Sequence, residues 1–291
     1  MKKNTKIILL AAVCLICAGL ILTAVGYFSG ASLSNIIHGD LWSWTSHNSD
    51  GSHYDSSFDE SNTYTIAADG IEELSIDWLA GDIEVIPYAG DQILIQETCR
   101  EEITDDNCLR YRVKNGRLDI SCCREENGIS FDLGDDRELT KQLTVKVPME
   151  LAGDLKVLEI DAVSSDVRVN GLTIKEFSAD TVSGNVTLEQ CSAADIQTDT
   201  ISGDVDLSLL ACPKEFSADT TSGNITLALP HGSSFRLEFE TVSGQPKLKG
   251  FDADCLEDED GSYEYQAGRG RCEFSVDTIS GDITVTMAEH H

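Results

Sequence analysis

The sequence predicts an all-β protein, a β-solenoid (parallel β-helix or β-roll) of about 20-residue turns, and three observations carry that prediction. The first is an internal repeat: Phe177-Ser-Ala-Asp-Thr-Val-Ser-Gly-Asn-Val-Thr-Leu188, Ile196-Gln-Thr-Asp-Thr-Ile-Ser-Gly-Asp-Val-Asp-Leu207 and Phe216-Ser-Ala-Asp-Thr-Thr-Ser-Gly-Asn-Ile-Thr-Leu227, at intervals of nineteen and twenty residues. Weaker copies run from Leu158 to Val169, Leu237 to Leu248 and Phe274 to Val285, with an outlying relative at Leu74 to Val85. The second is alternation within each copy, where Phe177, Ala179 and Thr181 precede a central turn and Val186 and Leu188 follow it, so one face of each strand goes inward. The third is the turn itself, a Ser-Gly pair followed by Asp or Asn in the most regular copies, whose glycines (Gly184, Gly203, Gly223, Gly244, Gly281) tolerate backbone conformations that other residues resist.

The chain opens with Lys2, Lys3 and Lys6, then runs for twenty-two residues, Ile7 to Phe28, without a charge. That length spans a hydrocarbon layer ~30 Å thick as a helix, with the basic flank left in the cytoplasm. Residues 1–28 are therefore expected to be a transmembrane signal anchor. A cleaved secretory signal is the rival, with small residues at Ala24-Val25-Gly26 and Ser29-Gly30-Ala31. The anchor is favoured because its apolar run exceeds the ~7–15 residues of an ordinary signal core. The expected location is the cell membrane, single-pass, with the bulk of the chain extracytoplasmic.

Residues 29–65 turn to Ser, His, Asp and Gly and read as a flexible polar stalk, in which His38, His47 and His53 lack an element to fix them as metal ligands. Residues 66–148 form an N-terminal β region. Its clearest element is a hairpin between Leu109 and Ile120, where Asn115-Gly116 suits a type I′ turn. An alternating strand from Gln142 to Val147 stops at Pro148. Residues 149–291 hold the solenoid repeats, and the segment Lys249 to Arg271 interrupts them as an acidic excursion.

Stacked turns would set like residues in columns at the ~4.8 Å strand spacing, with Thr181, Thr200 and Thr220 in one such column. Hydroxyl and amide columns of this kind are expected to satisfy one another. The same stacking gives a candidate acidic interaction ladder on the outer face, formed by Asp161, Asp180, Asp199, Asp219, Glu240 and Asp277. Like charges ~5 Å apart in water repel by about 1 kcal/mol per neighbour. Each buried Phe, Ile, Leu or Val returns about 1.5–3 kcal/mol, so packing outweighs the repulsion.

Without the three N-terminal lysines, 18 Lys+Arg face 51 Asp+Glu. Such a surface repels phosphate backbones and anionic head groups, so no nucleic acid is expected as a partner, whereas basic proteins, polymers and cations fit. Eight of the ten cysteines lie beyond the apolar segment, and the best local pair is Cys255 with Cys272, a candidate disulfide closing the acidic excursion. Calcium is the one ion the acidic residues invite. The loop spacing fails, because Asp258-x-Asp260-Gly261 would put Leu256 at the first position of an EF-hand. No cofactor or metal site is therefore assigned.

Catalysis needs one differentiated constellation, and the repeat offers a ladder of equal members. There is no Gly-x-Ser-x-Gly, no His-Glu-x-x-His and no phosphate-binding glycine loop, so no catalytic residue is assigned. A carbohydrate-active β-helix enzyme is the lower alternative. The Asp-Thr-x-Ser-Gly-Asp/Asn repeats, with the strand Leu143 to Pro148 before them, resemble the "putative adhesin" family of bacterial membrane-anchored surface domains, over about Ile66 to Thr286. The resemblance implies a β-helical or β-roll domain, often tethered to the membrane and sometimes linked to envelope-stress systems. The expected function is that of a non-enzymatic adhesin or envelope scaffold binding a surface polymer or protein. A sensory or regulatory ectodomain of an envelope-stress system is the alternative.

Overall fold

The structure, a computed structural model, describes residues 62–99, 103, 108–122, 141–259 and 261–288. The expected transmembrane anchor and nearly all of the stalk lie outside these residues. Among the described residues no helix is long and apolar enough to cross a membrane. The elements are β1 (Thr63–Ala67), β2 (Glu73–Ala80), β3 (Ile83–Tyr88), β4 (Gln92–Cys99), β5 (Arg110–Lys114), β6 (Arg117–Ser121) and β7 (Lys141–Pro148), followed by a single-turn helix α1 (Met149–Ala152). Next come β8 (Leu155–Ser164), β9 (Val167–Asn170), β10 (Thr173–Ser183), β11 (Val186–Ser202), β12 (Val205–Leu209), β13 (Glu215–Ser222) and β14 (Ile225–Leu229). The last are β15 (Phe235–Ser243), β16 (Pro246–Lys249), β17 (Ala253–Glu259), β18 (Ser262–Ala267), β19 (Cys272–Ser280) and β20 (Ile283–Met287).

Together the strands make a curled, mixed all-β arrangement with two faces. The front face runs β5, β6, β2, β8, β10, β11, β13, β19, β15, β18, β17; it is parallel from β6 to β15 and ends in antiparallel pairs on both sides. The back face runs β1, β4, β7, β3, β9, β11, β12, β14, β20, β16, and only the β1–β4 and β4–β7 pairs are antiparallel. β11 belongs to both faces: Val186 to Cys191 lies on the back, and the stretch from Ser192 to Ser202 bends round to the front. Asn115 and Gly116 both carry positive φ, 53° and 84°, and join β5 to β6 in the hairpin their sequence specifies.

The alternation explains the packing. Leu74, Leu158, Phe177, Ile196, Phe216, Phe274 and Leu237 are register partners along the front face and all are buried. Ile83, Val167, Val186, Val205, Ile225 and Ile283 do the same on the back, and both columns belong to one continuous core. The outlying relative Leu74 to Val85 is thus a full coil, β2–β3, packed in parallel on β8–β9.

Sequence order and spatial order part company at one end. After β15 and β16 the chain leaves as the β17–β18 hairpin, which adds antiparallel to the far edge of β15. It then returns, and β19–β20 is inserted between β13–β14 and β15–β16. The expectation that successive copies stack in chain order therefore fails for the last two. The acidic excursion supplies the length for the return, and Phe274 closes the seam, stacked on Phe235 at 4.9 Å and edge-on to Phe216 at 5.9 Å.

The glycine at each corner is there for close approach more than for conformation. A Cβ on Gly203 would sit 2.0 Å from the Gly184 carbonyl oxygen, one on Gly223 1.9 Å from that of Gly203, and one on Gly281 1.9 Å from that of Gly223. Of the five, only Gly184 and Gly203 carry positive φ, so the conformational argument made from sequence does not extend to Gly223, Gly244 and Gly281. The residue after each glycine sets the register. Asn185 N–H donates to Asp166 Oδ1 (2.8 Å), Asp204 N–H to Asn185 Oδ1 (2.9 Å), and Asn224 N–H to Asp204 Oδ1 (2.7 Å). Asp282 N–H then donates to Asn224 Oδ1 (3.2 Å), and Gln245 N–H to Asp282 Oδ1 (2.9 Å), so the series follows the inserted coil.

The hydroxyl column behaves otherwise. Thr181, Thr200, Thr220, Thr278 and Thr241 point into the core, and their Oγ1 atoms are buried without a hydrogen-bond partner, which corrects the expectation that such columns satisfy themselves. At the strand spacing, neighbouring hydroxyls are too far apart to bond. A buried hydroxyl left unpaired costs about 1–3 kcal/mol. Thr220→Val, of the same shape, is accordingly expected to raise stability by about 1 kcal/mol, read as a higher urea midpoint at unchanged slope; a lower midpoint would show the hydroxyl to be bonded.

Candidate functional site

On the outward side of the front face, the in-register pairing brings one carboxylate from each of seven neighbouring strands into a single row. In spatial order it reads Asp77, Asp161, Asp180, Asp199, Asp219, Asp277 and Glu240. All six residues of the ladder read from sequence are in it. Asp77 heads the row, and Asp277 and Glu240 exchange places because of the inserted coil. The sequence signal for Asp77 was present, since Leu74 to Val85 carries it at the repeat's position.

These carboxylates are half-buried rather than fully solvated. The next outward position along most of these strands holds a branched apolar side chain: Leu79, Val163, Val182, Ile201 and Ile279. Burial first, and the neighbouring carboxylates second, push Asp180 up to about 7 and Asp219 up to about 6. The same causes raise Asp77 to about 7, Asp161 to about 6 and Asp277 to about 6, and burial raises Asp199. One oxygen each of Asp180 and Asp199 is buried with no hydrogen-bond partner. The aspartates of the row therefore hold protons at a pH where isolated carboxylates would have lost them.

A carboxyl with a higher pKa folded than unfolded binds its proton more tightly in the fold. Its stabilising contribution is full below about pH 4 and is lost as pH rises through about 6 to 7. The thermal midpoint is expected to fall between about pH 5 and about pH 8, and Asp180→Asn with Asp199→Asn to flatten that fall. A midpoint indifferent to pH over this range would show the row to be solvated.

Among the described residues no group of three or more His, Cys, Asp or Glu side chains is placed to hold a metal ion. The carboxylates lie along a line, one per strand, and do not converge on a point. The row is suited to an extended counter-surface of fixed positive charge.

Cys255 and Cys272 are not brought together. Cys255 pairs with Tyr265 on β18, β18 pairs with β15, and only then comes β19, so two strands separate the proposed partners. At ~4.8 Å per strand this exceeds the ~7 Å Cα limit of a disulfide.

Sequence reasoning also missed a buried polar cluster where β4 meets β7. Glu97 and Lys141 are both fully buried, and Lys141 Nζ lies 2.9 Å from Glu97 Oε2. Leu109 N–H donates to both carboxylate oxygens (3.0 and 3.1 Å), Tyr64 Oη donates to Oε1 (3.2 Å), and Lys141 Nζ also donates to the Cys122 carbonyl. Trp78 Nε1–H donates to the Lys141 carbonyl at 2.8 Å, and its ring lies 5.3 Å from Nζ. Burial, then the Glu97 charge, pushes the Tyr64 hydroxyl well above its usual range. The strand phase held the signal: Lys141 is in step with Leu143, Val145 and Val147, and Glu97 with Ile93 and Ile95. With every group tied to another and none facing solvent, the cluster fixes the fold and offers no site for a ligand.

A family model described as Toastrack DUF4097 matches residues 71–214 and again residues 155–286. No curated protein matches the chain. Among solved structures, the chain is similar to a "putative cell adhesion protein" from Clostridium sporogenes, at 12% identity, covering 78% of this chain and 98% of that one, with a TM-score of 0.49. It is similar to a "putative adhesin" from Bacteroides fragilis, at 14% identity, covering 76% and 95%, TM-score 0.38. A "putative lipid binding protein" from Parabacteroides distasonis is matched at 11% identity, covering 78% and 96%, TM-score 0.28.

Proposed function

Because the chain belongs to the Toastrack DUF4097 family, we propose that it is a non-enzymatic, membrane-anchored extracytoplasmic protein, an adhesin or envelope scaffold whose acidic front face binds a cationic surface polymer or protein. One observation carries the proposal: seven half-buried carboxylates stand in register on seven neighbouring strands, most of them followed on the same side by a branched apolar side chain. A counter-surface of ammonium or guanidinium groups would both pair these charges and relieve their mutual repulsion. The parallel, in-register pairing from β6 to β15 supports a β-solenoid reading of the repeats. The uncharged run from Ile7 to Phe28 supports the anchor. A non-catalytic role is supported by the six aspartates of the row all being shifted in the same direction, with none lowered to serve as a base beside a raised acid.

The test is binding of the full chain in detergent to immobilised polylysine. Binding is expected at low salt, declining as salt screens it, and falling at least about tenfold when Asp180, Asp199 and Asp219 are changed together to Asn. Removing repelling charges favours the fold, so a loss of binding by that variant cannot be laid to unfolding. Unchanged binding would sink the proposal.

A further inference from the structure

Two thiols far apart in sequence meet at the start of neighbouring front strands. Cys212 Sγ lies 3.2 Å from Cys272 Sγ, and both residues are part-buried. Cys212 stands three residues before β13, Cys272 opens β19, and these strands are parallel partners with Glu215 opposite Glu273. The main chain around the pair is fixed: Glu273 N–H donates to the Lys214 carbonyl (2.9 Å) and Cys272 N–H to that of Ser234 (3.1 Å). The sulfurs are thus about 1 Å further apart than the ~2 Å of a sulfur–sulfur bond.

We propose that Cys212 and Cys272 are a covalent modification site, joined as a disulfide by a disulfide-bearing oxidant, and that this bond fixes the inserted coil in its out-of-order position. One cysteine thiolate attacks the oxidant's disulfide and forms a mixed disulfide, releasing one thiol. The second thiolate displaces the other half, so the two cysteines give up two protons and two electrons, and the oxidant leaves as two thiols. Burial and the adjacent thiol push Cys212 up to about 12, which makes the first attack slow at neutral pH and faster in alkali.

The link to chain order comes from the register. β15 and β19 both carry the repeat, so either could stack on β13, and a competing state would have β15–β16 in the interior place. The residue of β15 equivalent to Cys272 is Phe235, which has no thiol. Bond formation is therefore possible only with β19 against β13, and it removes the competitor from the accessible ensemble. Persistence of the bond in cells rests on the extracytoplasmic reading above, where oxidants outlast reductants; its formation in solution does not.

The experiment is peptide mass mapping, without reduction, of the full chain in detergent after exposure to oxidised glutathione at alkaline pH. The expected result is one linked pair containing Cys212 and Cys272, lighter by two hydrogens, with both thiols lost to maleimide labelling and the thermal midpoint raised until dithiothreitol is added. Cys255→Ser is expected to leave the linked pair in place. Full labelling of Cys212 and Cys272 after oxidation, or Cys272 found joined to Cys255, overturns the proposal. Because the mapping uses the unaltered chain, no outcome depends on whether a variant folds.

Discussion

Gly223→Ala is expected to destabilise the fold by on the order of 3 kcal/mol or more, because its methyl group would overlap the neighbouring coil's backbone. The added carbon would lie 1.9 Å from the Gly203 carbonyl oxygen and 2.8 Å from its carbon. Those atoms are backbone, and that backbone is itself pinned by the Gly203 N–H to Ser222 carbonyl bond at 3.2 Å. Neither coil can retreat without opening the parallel pairing on both faces. Gly153→Ala provides the control: its φ is −83°, and a Cβ there would meet nothing nearer than the Met149 carbonyl oxygen at 3.5 Å. That change is expected to stay within about 0.5 kcal/mol. Urea denaturation of the two variants beside the parent chain checks both; equal midpoints would mean that the coils do not approach as closely as described.

Lys141→Met is expected to cost about 3–5 kcal/mol, because it leaves the Glu97 carboxylate charged and fully buried without its ammonium. The donors that remain, Leu109 N–H and the Tyr64 hydroxyl, satisfy oxygen atoms but do not neutralise a charge. Lys141→Met combined with Glu97→Gln is expected to recover most of the loss, since the amide keeps an acceptor for Leu109 N–H and needs no counterion. If the double variant were no more stable than the single, the ion pair would not be what the site requires.

The sequence announced the coils because each copy repeats one phase: Phe177, Ile196 and Phe216 fall inward together, so a single alternation rule serves every turn. The acidic row was legible for the same reason, as was the hairpin at Asn115-Gly116, where a turn type selects its residues. The half-burial of the row was not, because it arises from Val182 and Ile201 on the same outward side, a property of neighbours and not of the carboxylates. Chain order at the last two coils was hidden by the very likeness of β15 and β19, since equal patterns cannot say which stacks first. The cysteine partners followed that ambiguity, and proximity in sequence favoured Cys255 where proximity in space selects Cys212. Lys141 and Glu97 were written in the apolar phase, but an alternation reading weighs a charge as outward unless a partner is known.

The insertion of β19–β20 has a bearing on how the molecule is assembled. A linear array built in the order of synthesis can grow layer by layer, each new turn docking on the last. This one cannot: when β16 leaves the ribosome its permanent neighbour is still some thirty residues from being made. The exposed rim of β14 must wait, or accept a temporary guest that later has to be evicted. Proteolysis after Gly270 would therefore not shorten the array by its final turn but excise a middle storey, stranding β15–β16 and the β17–β18 hairpin beyond it.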